Sequence, residues 1–193
     1  MASVVSICNS ALNQLGAASI TALTDNSKNA RLCNERYETV RDAVFRSHPW
    51  NCLIKRQQLA QDAATPAYGF SYQFSLPSDC LRLLNLDAYN SDHKVEGRKI
   101  LCNEQSIKIA YISQVTDPNE MDVLLRETIS AGIAADLGYA ITANLQVSKL
   151  MQEKYQFKLS EARHADASEG YNVDPKNGQV DQILTEDFLN SRY

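Results

Sequence analysis

The feature that most constrains the fold is a long helical pattern over residues 119–168, interrupted only near Asn144. Its first half carries apolar or small residues around most of the helix circumference, including Gly132 and Gly138. Because small side chains let a neighbouring backbone approach closely, this helix is predicted to be enclosed by other elements on several sides. The second half has a charged outer face and a narrower apolar stripe. This stripe comprises Val147, Met151, Tyr155, Leu159 and Ala162.

Two further helices are predicted at the start of the chain. Residues 3–15 have apolar side chains at helical spacing, with Ser3 as the candidate N-cap and Gly16 where a left-handed residue would end the helix. The second helix follows the cap-type residues 24–27 and extends to about Ser47, before a Pro that stops it. Its apolar stripe comprises Ala30, Cys33, Tyr37, Val40 and Val44.

The other side of the second helix alternates in charge. One interpretation is a solvated face whose side chains pair along the helix, and the other is a surface that meets a second copy of the chain. The charged residues are Lys28, Arg31, Glu35, Arg36, Glu38, Arg41, Asp42 and Arg46.

Residues 50–115 have strand chemistry instead of helical periodicity. Apolar residues recur at alternating positions in the last segment, which predicts an antiparallel sheet with one face in solvent. Residues 96–98 and 103–105 are predicted hairpin turns. Asp117 and Pro118 are the predicted cap and first residue of the next helix. About five strands are expected, over residues 50–59, 68–76, 80–86, 94–102 and 106–115.

The predicted fold class is therefore α+β. A four-helix body, residues 1–49 and 116–168, has an antiparallel β module, residues 50–115, inserted between its second and third helices. The body and the module form one domain over residues 1–168.

Residues 169–193 are predicted to be an extended C-terminal arm. Gly, Asn, Asp and Pro dominate its beginning, and apolar residues return at near-helical spacing at its end. A stripe this short does not fold alone, so the segment is either an arm that orders on a partner or a frayed end. The candidate docking residues are Tyr171, Val180, Ile183, Leu184, Phe188, Leu189 and Tyr193.

Charge and composition narrow the function classes. The chain has 19 basic and 23 acidic residues, and the whole excess of −4 lies after residue 160. A protein that grips DNA normally shows a clustered positive surface instead. No run of 18 apolar residues and no basic leader occurs, so we expect synthesis in a cytosol and no membrane partner. The five cysteines are predicted to be small buried hydrophobes.

The sequence contains no recognisable catalytic, cofactor or metal motif. His48, His93 and His164 are far apart, and neither a nucleophile elbow nor a phosphate-binding glycine loop is present. We therefore expect no enzyme activity, no cofactor and no metal.

Several short sequences nevertheless occur in a specific order, and together they resemble the tail tubular protein A family of short-tailed bacteriophages, also called head-to-tail adaptor or gatekeeper proteins. The resemblance covers about residues 3–165. Its motifs are Cys8-Asn9-Ser10-Ala11-Leu12-Asn13-Gln14-Leu15-Gly16, Arg36-Tyr37-Glu38-Thr39-Val40-Arg41-Asp42, Pro49-Trp50-Asn51, Leu59-Ala60, and Tyr72-Gln73-Phe74-Ser75-Leu76-Pro77-Ser78-Asp79-Cys80-Leu81-Arg82.

The resemblance implies a structural virion protein, made in the host bacterial cytoplasm and located in the virion tail. Such adaptors form a homo-oligomeric ring, a dodecamer, between the portal protein and a tail nozzle of the tail tubular protein B type. Phage DNA passes through the channel without sequence-specific binding. A ring needs two different faces on each subunit, and the arm is the candidate portal contact. The candidate subunit-interface residues are Arg31, Glu35, Arg36, Glu38, Arg41, Lys154 and Lys158.

Two alternative functions come from other classes. One is a cytosolic helical regulator or weak nucleic-acid-binding module that uses the arginines of the second helix, Arg31, Arg36, Arg41 and Arg46. The other is a hydrolase built on His48 or His93, since a triad assembles in space and not in sequence.

Overall fold

The computed structural model describes residues 1–87 and 92–169. In chain order it contains α1 (Val4–Gln14), α2 (Lys28–Arg46), β1 (Ile54–Leu59), β2 (Tyr72–Ser75), β3 (Cys80–Leu86), β4 (His93–Glu96), β5 (Lys99–Cys102), β6 (Ile107–Ser113), α3 (Val123–Thr142) and α4 (Leu145–Glu169). Short 3₁₀ helices occupy Asn51–Leu53 and Pro118–Glu120. The prediction of a mixed protein with four helices and antiparallel strands is confirmed.

The chain divides into two compact units. One unit, the helical unit, contains Met1–Val40 and the described residues from Asp122 onward; the other, the strand unit, is Arg41–Met121. The division passes through α2, so the arrangement differs from a module placed between two complete helices. The last turns of α2 belong with the strands because Val44, Phe45 and Trp50 are fully buried there, and Trp50 Nε1 donates to the Val44 carbonyl oxygen over 3.0 Å.

The ends of α1 and the start of α2 follow the sequence prediction. The Ser3 hydroxyl accepts from the Ser6 amide over 3.0 Å and caps α1, while Gly16 has the expected positive φ of +66° after it. The Ser27 hydroxyl accepts from the Ala30 amide over 3.1 Å at the start of α2. Local cap chemistry therefore sets these boundaries.

The start of α3 was predicted wrongly. Asp117 and Pro118 begin the 3₁₀ helix instead, and α3 starts only at Val123. Asp122 is its N-cap, since its carboxylate accepts from the Leu124 amide over 2.7 Å. The predicted break near Asn144 is confirmed: Ala143 is left-handed, and the Asn144 side chain caps α4 by accepting from the Gln146 amide.

Helix α3 is the enclosed centre of the helical unit, as its small residues predicted. It is buried from Leu125 through Gly138 on most sides. A Cβ atom on Gly132 would lie 3.0 Å from Val40 of α2 and 3.2 Å from Tyr155 of α4, and one on Gly138 would lie 3.2 Å from the Ser148 Cα. The glycines thus permit close packing of α2 and α4 against α3.

The strands form two antiparallel sheets, with orders β1-β6-β3 and β2-β5-β4, instead of the single sheet of about five strands that was expected. One apolar cluster, which includes Phe74 and Ile100 from one sheet and Ile107 and Ile109 from the other, joins the two sheets. The hairpin predicted at residues 96–98 is confirmed, with Gly97 and Arg98 at φ values of 51° and 65°.

Residues 103–105 do not form the predicted hairpin, because β5 and β6 belong to different sheets. These residues lead from one sheet to the other. Four of the five cysteines are buried as predicted, whereas Cys52 is exposed. Among the described residues, no helix has the length and apolar character needed to cross a bilayer.

Candidate subunit interface

The outer face of α2 presents a row of exposed charges. Arg31, Glu35 and Glu38 are exposed, while the opposite stripe from Ala30 to Tyr37 is buried. Residues three or four apart lie on one helix face, so these three side chains form a continuous surface. We call them the α2 outer face. Within the described residues, neither Glu35 nor Glu38 forms an ion pair.

Arg36, a predicted interface residue, is instead held by its own chain. Its Nε atom lies 2.5 Å from Asp136 Oδ2 and its Nη2 atom 3.2 Å from Asp136 Oδ1, a two-bond contact between α2 and α3. The hydrogen bond and charge of Asp136 raise the pKa of the Arg36 guanidinium. Arg36 therefore positions α2 on α3.

Arg41 contradicts the prediction that it lies on the exposed charged face. It is 3% exposed, and its Nε atom pairs with Asp42 Oδ1 at 2.8 Å. Asp42 also accepts from Gln114 Nε2 over 2.7 Å. Arg41 follows the buried Tyr37 by four residues and so lies on the buried side of the helix. The alternating charges in the sequence did not indicate that Arg41 is buried.

The predicted interface residues of α4 remain on the surface. Lys154 is exposed, and no ion pair to it occurs among the described residues. Lys158 is half-buried, and its Nζ atom lies 2.8 Å from Glu161 Oε2 on the next turn. The apolar stripe predicted for α4 faces the core, with Met151, Leu159 and Ala162 buried.

The two lysines line an open polar groove between α1, α3 and α4, with a volume of about 620 Å³. The Gln14 amide donates to the Ser130 hydroxyl over 3.0 Å, while its buried Oε1 atom accepts no hydrogen bond from the described residues. The lining comprises Ser6, Asn9, Ser10, Asn13, Gln14, Glu127, Ala131, Lys154 and Lys158. Sequence reasoning did not identify the part contributed by α1 and α3, since neither helix carries a charge row.

An exposed apolar pair lies beside this groove. Leu150 and Phe157 are 57% and 66% exposed, and each is three or four residues from Lys154 on α4. We call this pair the α4 apolar ridge. Sequence reasoning missed it, although the signal was present: both residues lie off the buried stripe and are seven residues apart. Burial of one such side chain stabilises a contact by about 1.5–3 kcal/mol.

The candidate portal-docking residues from Tyr171 to Tyr193 lie outside the described residues. Their assignment stays a prediction.

The arginine set of the alternative nucleic-acid module does not form one surface. Arg36 binds Asp136, Arg41 is buried, and Arg46 donates to the Leu81 carbonyl. Successive arginines are five residues apart, a rotation of about 140° each at 3.6 residues per turn, so they cannot share a helix face.

The histidines also remain separate from one another. His48 packs edge-to-face on Trp50 with ring centroids 4.8 Å apart, His93 begins β4, and His164 is exposed on α4. No group of three His, Cys, Asp or Glu side chains that could hold a metal ion occurs within residues 1–87 and 92–169.

Comparison of the chain with protein-family models gives no match, and comparison with curated protein sequences gives no significant match.

Proposed function

We propose that the chain is a structural head-to-tail adaptor, which forms a ring, a dodecamer by resemblance, between a phage portal and a tail nozzle. In this proposal residues 50–115 are a β module inserted into the helical body. The observation that carries the proposal is that one compact unit presents two different charged surfaces, the α2 outer face and the α1–α3–α4 groove.

Two different surfaces on one subunit are what a ring requires. When one surface of a subunit binds a different surface of the next copy, every added copy still has one unoccupied surface at each end of the row. If each copy is rotated relative to the previous one by a suitable angle, the last copy meets the first and a ring closes. A symmetric dimer would use a single self-complementary patch instead. The α2 outer face carries Glu35 and Glu38, whereas the groove carries Lys154 and Lys158, so the two surfaces differ in sign.

The energetics assign different roles to the charges and to the apolar ridge. Exposed ion pairs contribute only about 0.2–1 kcal/mol each. Such pairs determine which partner binds, and in which register, more than they determine how tightly it binds. Burial of the α4 apolar ridge against a neighbour stabilises the contact more than these ion pairs do. An apolar centre flanked by charged residues is the usual anatomy of a protein interface.

The charge balance suits a channel through which DNA moves. Over residues 1–160 there are 16 basic and 16 acidic residues. A strongly positive lining would release counterions from the phosphates and retain the polymer. The proposed function therefore includes passage of DNA and no tight binding to it.

Electron microscopy of the chain mixed with its cognate portal tests this function. We expect a ring of density on the narrow end of the portal. A chain that stays monomeric and leaves the portal bare would overturn the proposal. DNA binding with a steep dependence on salt, measured on the chain alone, would favour the nucleic-acid-binding alternative.

A further inference from the structure

We infer that the α1–α3–α4 groove is the receptor for the α2 outer face of a second copy, in one defined orientation. This inference rests on the proposed ring, and it adds the pairing of side chains within it. The occupant is a second copy of this chain because the α2 outer face is an exposed surface whose charges complement those of the groove.

The order of charges along the groove follows from how α3 and α4 pack. Thr128 Oγ1 lies 3.3 Å from the Lys158 carbonyl oxygen, so Glu127 is near the level of Lys158. Lys154 lies one turn earlier on α4, at the level where Tyr155 packs on Gly132. In the direction of α4 the groove therefore presents Lys154 first, and then Lys158 with Glu127 beside it on α3, so the negative charge lies at the end away from Lys154.

The α2 outer face has the complementary order in the reverse direction. In chain order it presents Arg31, Glu35 and Glu38, which is positive, negative and negative. An α2 helix that runs antiparallel to α4 of the neighbouring copy places Glu38 at Lys154, Glu35 at Lys158 and Arg31 at Glu127. The parallel orientation would bring Arg31 to Lys154, a like-charge contact that disfavours it. Complementarity thus selects a single orientation.

The two surfaces are similar in extent. Seven residues of helix rise about 10 Å, which is the distance from Arg31 to Glu38 along α2. The two lysines are about 6 Å apart along α4, and α3 lies one interhelical distance of roughly 8–10 Å away. Long Arg, Lys and Glu side chains span the remaining differences.

The uncharged lining of the groove is largely committed to its own chain. Asn9 is fully used within its own chain, since its side chain bonds both backbone groups of Ile20 at 2.8 and 2.9 Å. Gln14 Oε1 is buried and accepts no hydrogen bond from the described residues. The pairing between copies therefore depends on the charged residues.

Charge reversal on each surface separately tests the inference. The face variant E35K/E38K and the groove variant K154E/K158E each change the net charge by four. E104K/E120K and R56E/K108E, which alter exposed residues of the strand unit and lie on neither surface, are the matched controls. Sedimentation velocity over a range of concentrations measures self-association, and native mass spectrometry counts copies per portal ring.

We expect each single-surface variant to associate at least tenfold more weakly than the wild-type chain and to occupy portal rings partially. An equimolar mixture of the two variants recovers association, because the intact groove of one pairs with the intact α2 outer face of the other, and the reversed face of the first pairs with the reversed groove of the second. The fourfold variant E35K/E38K/K154E/K158E recovers association, since both signs are exchanged. The controls behave like the wild-type chain.

The outcomes separate the inference from the adaptor function. If both variants fill portal rings as the wild-type chain does, the groove pairing is wrong and the adaptor function stands. If the wild-type chain self-associates with the expected charge dependence but leaves the portal bare, the pairing stands and the function is wrong. A wild-type chain that does neither overturns both.

Discussion

Gly132 lies where three helices, α2, α3 and α4, approach closely. An added Cβ atom would lie 3.0 Å from Val40 Cγ1 and 3.2 Å from Tyr155 Cε2. Alanine gains about 1 kcal/mol of helix propensity over glycine, but overpacking costs typically about 1–3 kcal/mol. We expect G132A to lower the free energy of unfolding by about 1 kcal/mol, measured by urea denaturation.

A second substitution separates crowding from other effects of G132A. V40A removes the atom that the new Cβ would meet, so the double variant G132A/V40A should be less destabilised than the sum of the single variants by about 0.5 kcal/mol or more. Simple additivity would show that Val40 does not limit the space at Gly132.

Tyr111 gives the strand unit a dependence on alkaline pH. The pKa of Tyr111 is raised to about 12, first by burial of the phenol and then by the charge and the hydrogen bond of Asp79. The phenol donates to Asp79 Oδ1 over 3.2 Å. A raised pKa in the folded state means that the stabilisation is complete below the unfolded value of about 10 and is lost as pH rises through 12.

We therefore expect the stability difference between the wild-type chain and Y111F to shrink by on the order of 1 kcal/mol between about pH 10 and pH 12. Thermal melts at fixed pH values measure it. Y72F, which alters a phenol bonded to Gln105 near the surface, is the control and should show a smaller change. A difference that stays constant across this range would contradict the raised pKa.

Single residues show where sequence reasoning succeeded and where it did not. Ser3, Gly16 and the small residues of α3 were assigned correctly because caps and close packing depend on local chemistry. Arg41 and Phe157 were not, because burial of a charge or exposure of a ring depends on which elements lie beside the helix. The interface residues themselves stay predictions, since a contact between copies has no local signal.

At the scale of elements, the β4–β5 hairpin depends on a left-handed arginine. Arg98 has a φ of 65°, and its guanidinium donates to the carbonyl oxygens of Pro77 and Cys80 at 2.6 and 3.3 Å. A left-handed backbone costs a non-glycine residue about 1–2 kcal/mol. R98A and R98G lose the same guanidinium, so we expect R98G to be the more stable by about 1 kcal/mol.

The same pair of substitutions at Lys94, which lies in strand β4, should give the opposite order, because glycine weakens a strand. Urea denaturation of the four variants provides the comparison. If R98A equals or exceeds R98G in stability, the turn does not hold residue 98 in the left-handed region.

The elements also explain the errors in the predicted topology. The turn at Gly97 was recognisable because glycine readily adopts the positive φ that a tight hairpin turn requires. Residues 103–105 have similar turn composition but lead from β5 to a strand of the other sheet. Composition predicts that the chain bends, whereas strand pairing depends on distant partners such as β1, which pairs with β6 over Ile54–Leu59.

At the scale of the whole molecule, the acidic segment 170–193 provides a test that separates folding from assembly. The last described helix ends at Glu169, and the buried core residues that the structure describes in each unit precede it. Deletion of residues 170–193 should therefore leave the circular-dichroism melting curve nearly unchanged.

The same deletion should abolish portal docking while self-association through α2 and the groove persists, because those surfaces lie before residue 169. A matched variant that keeps the length but exchanges Ile183, Leu184, Phe188 and Leu189 for serine should lose docking equally, since these apolar side chains are the candidate docking residues. A large fall in melting temperature on deletion would show that the segment packs on its own chain, and the arm would then be part of the fold.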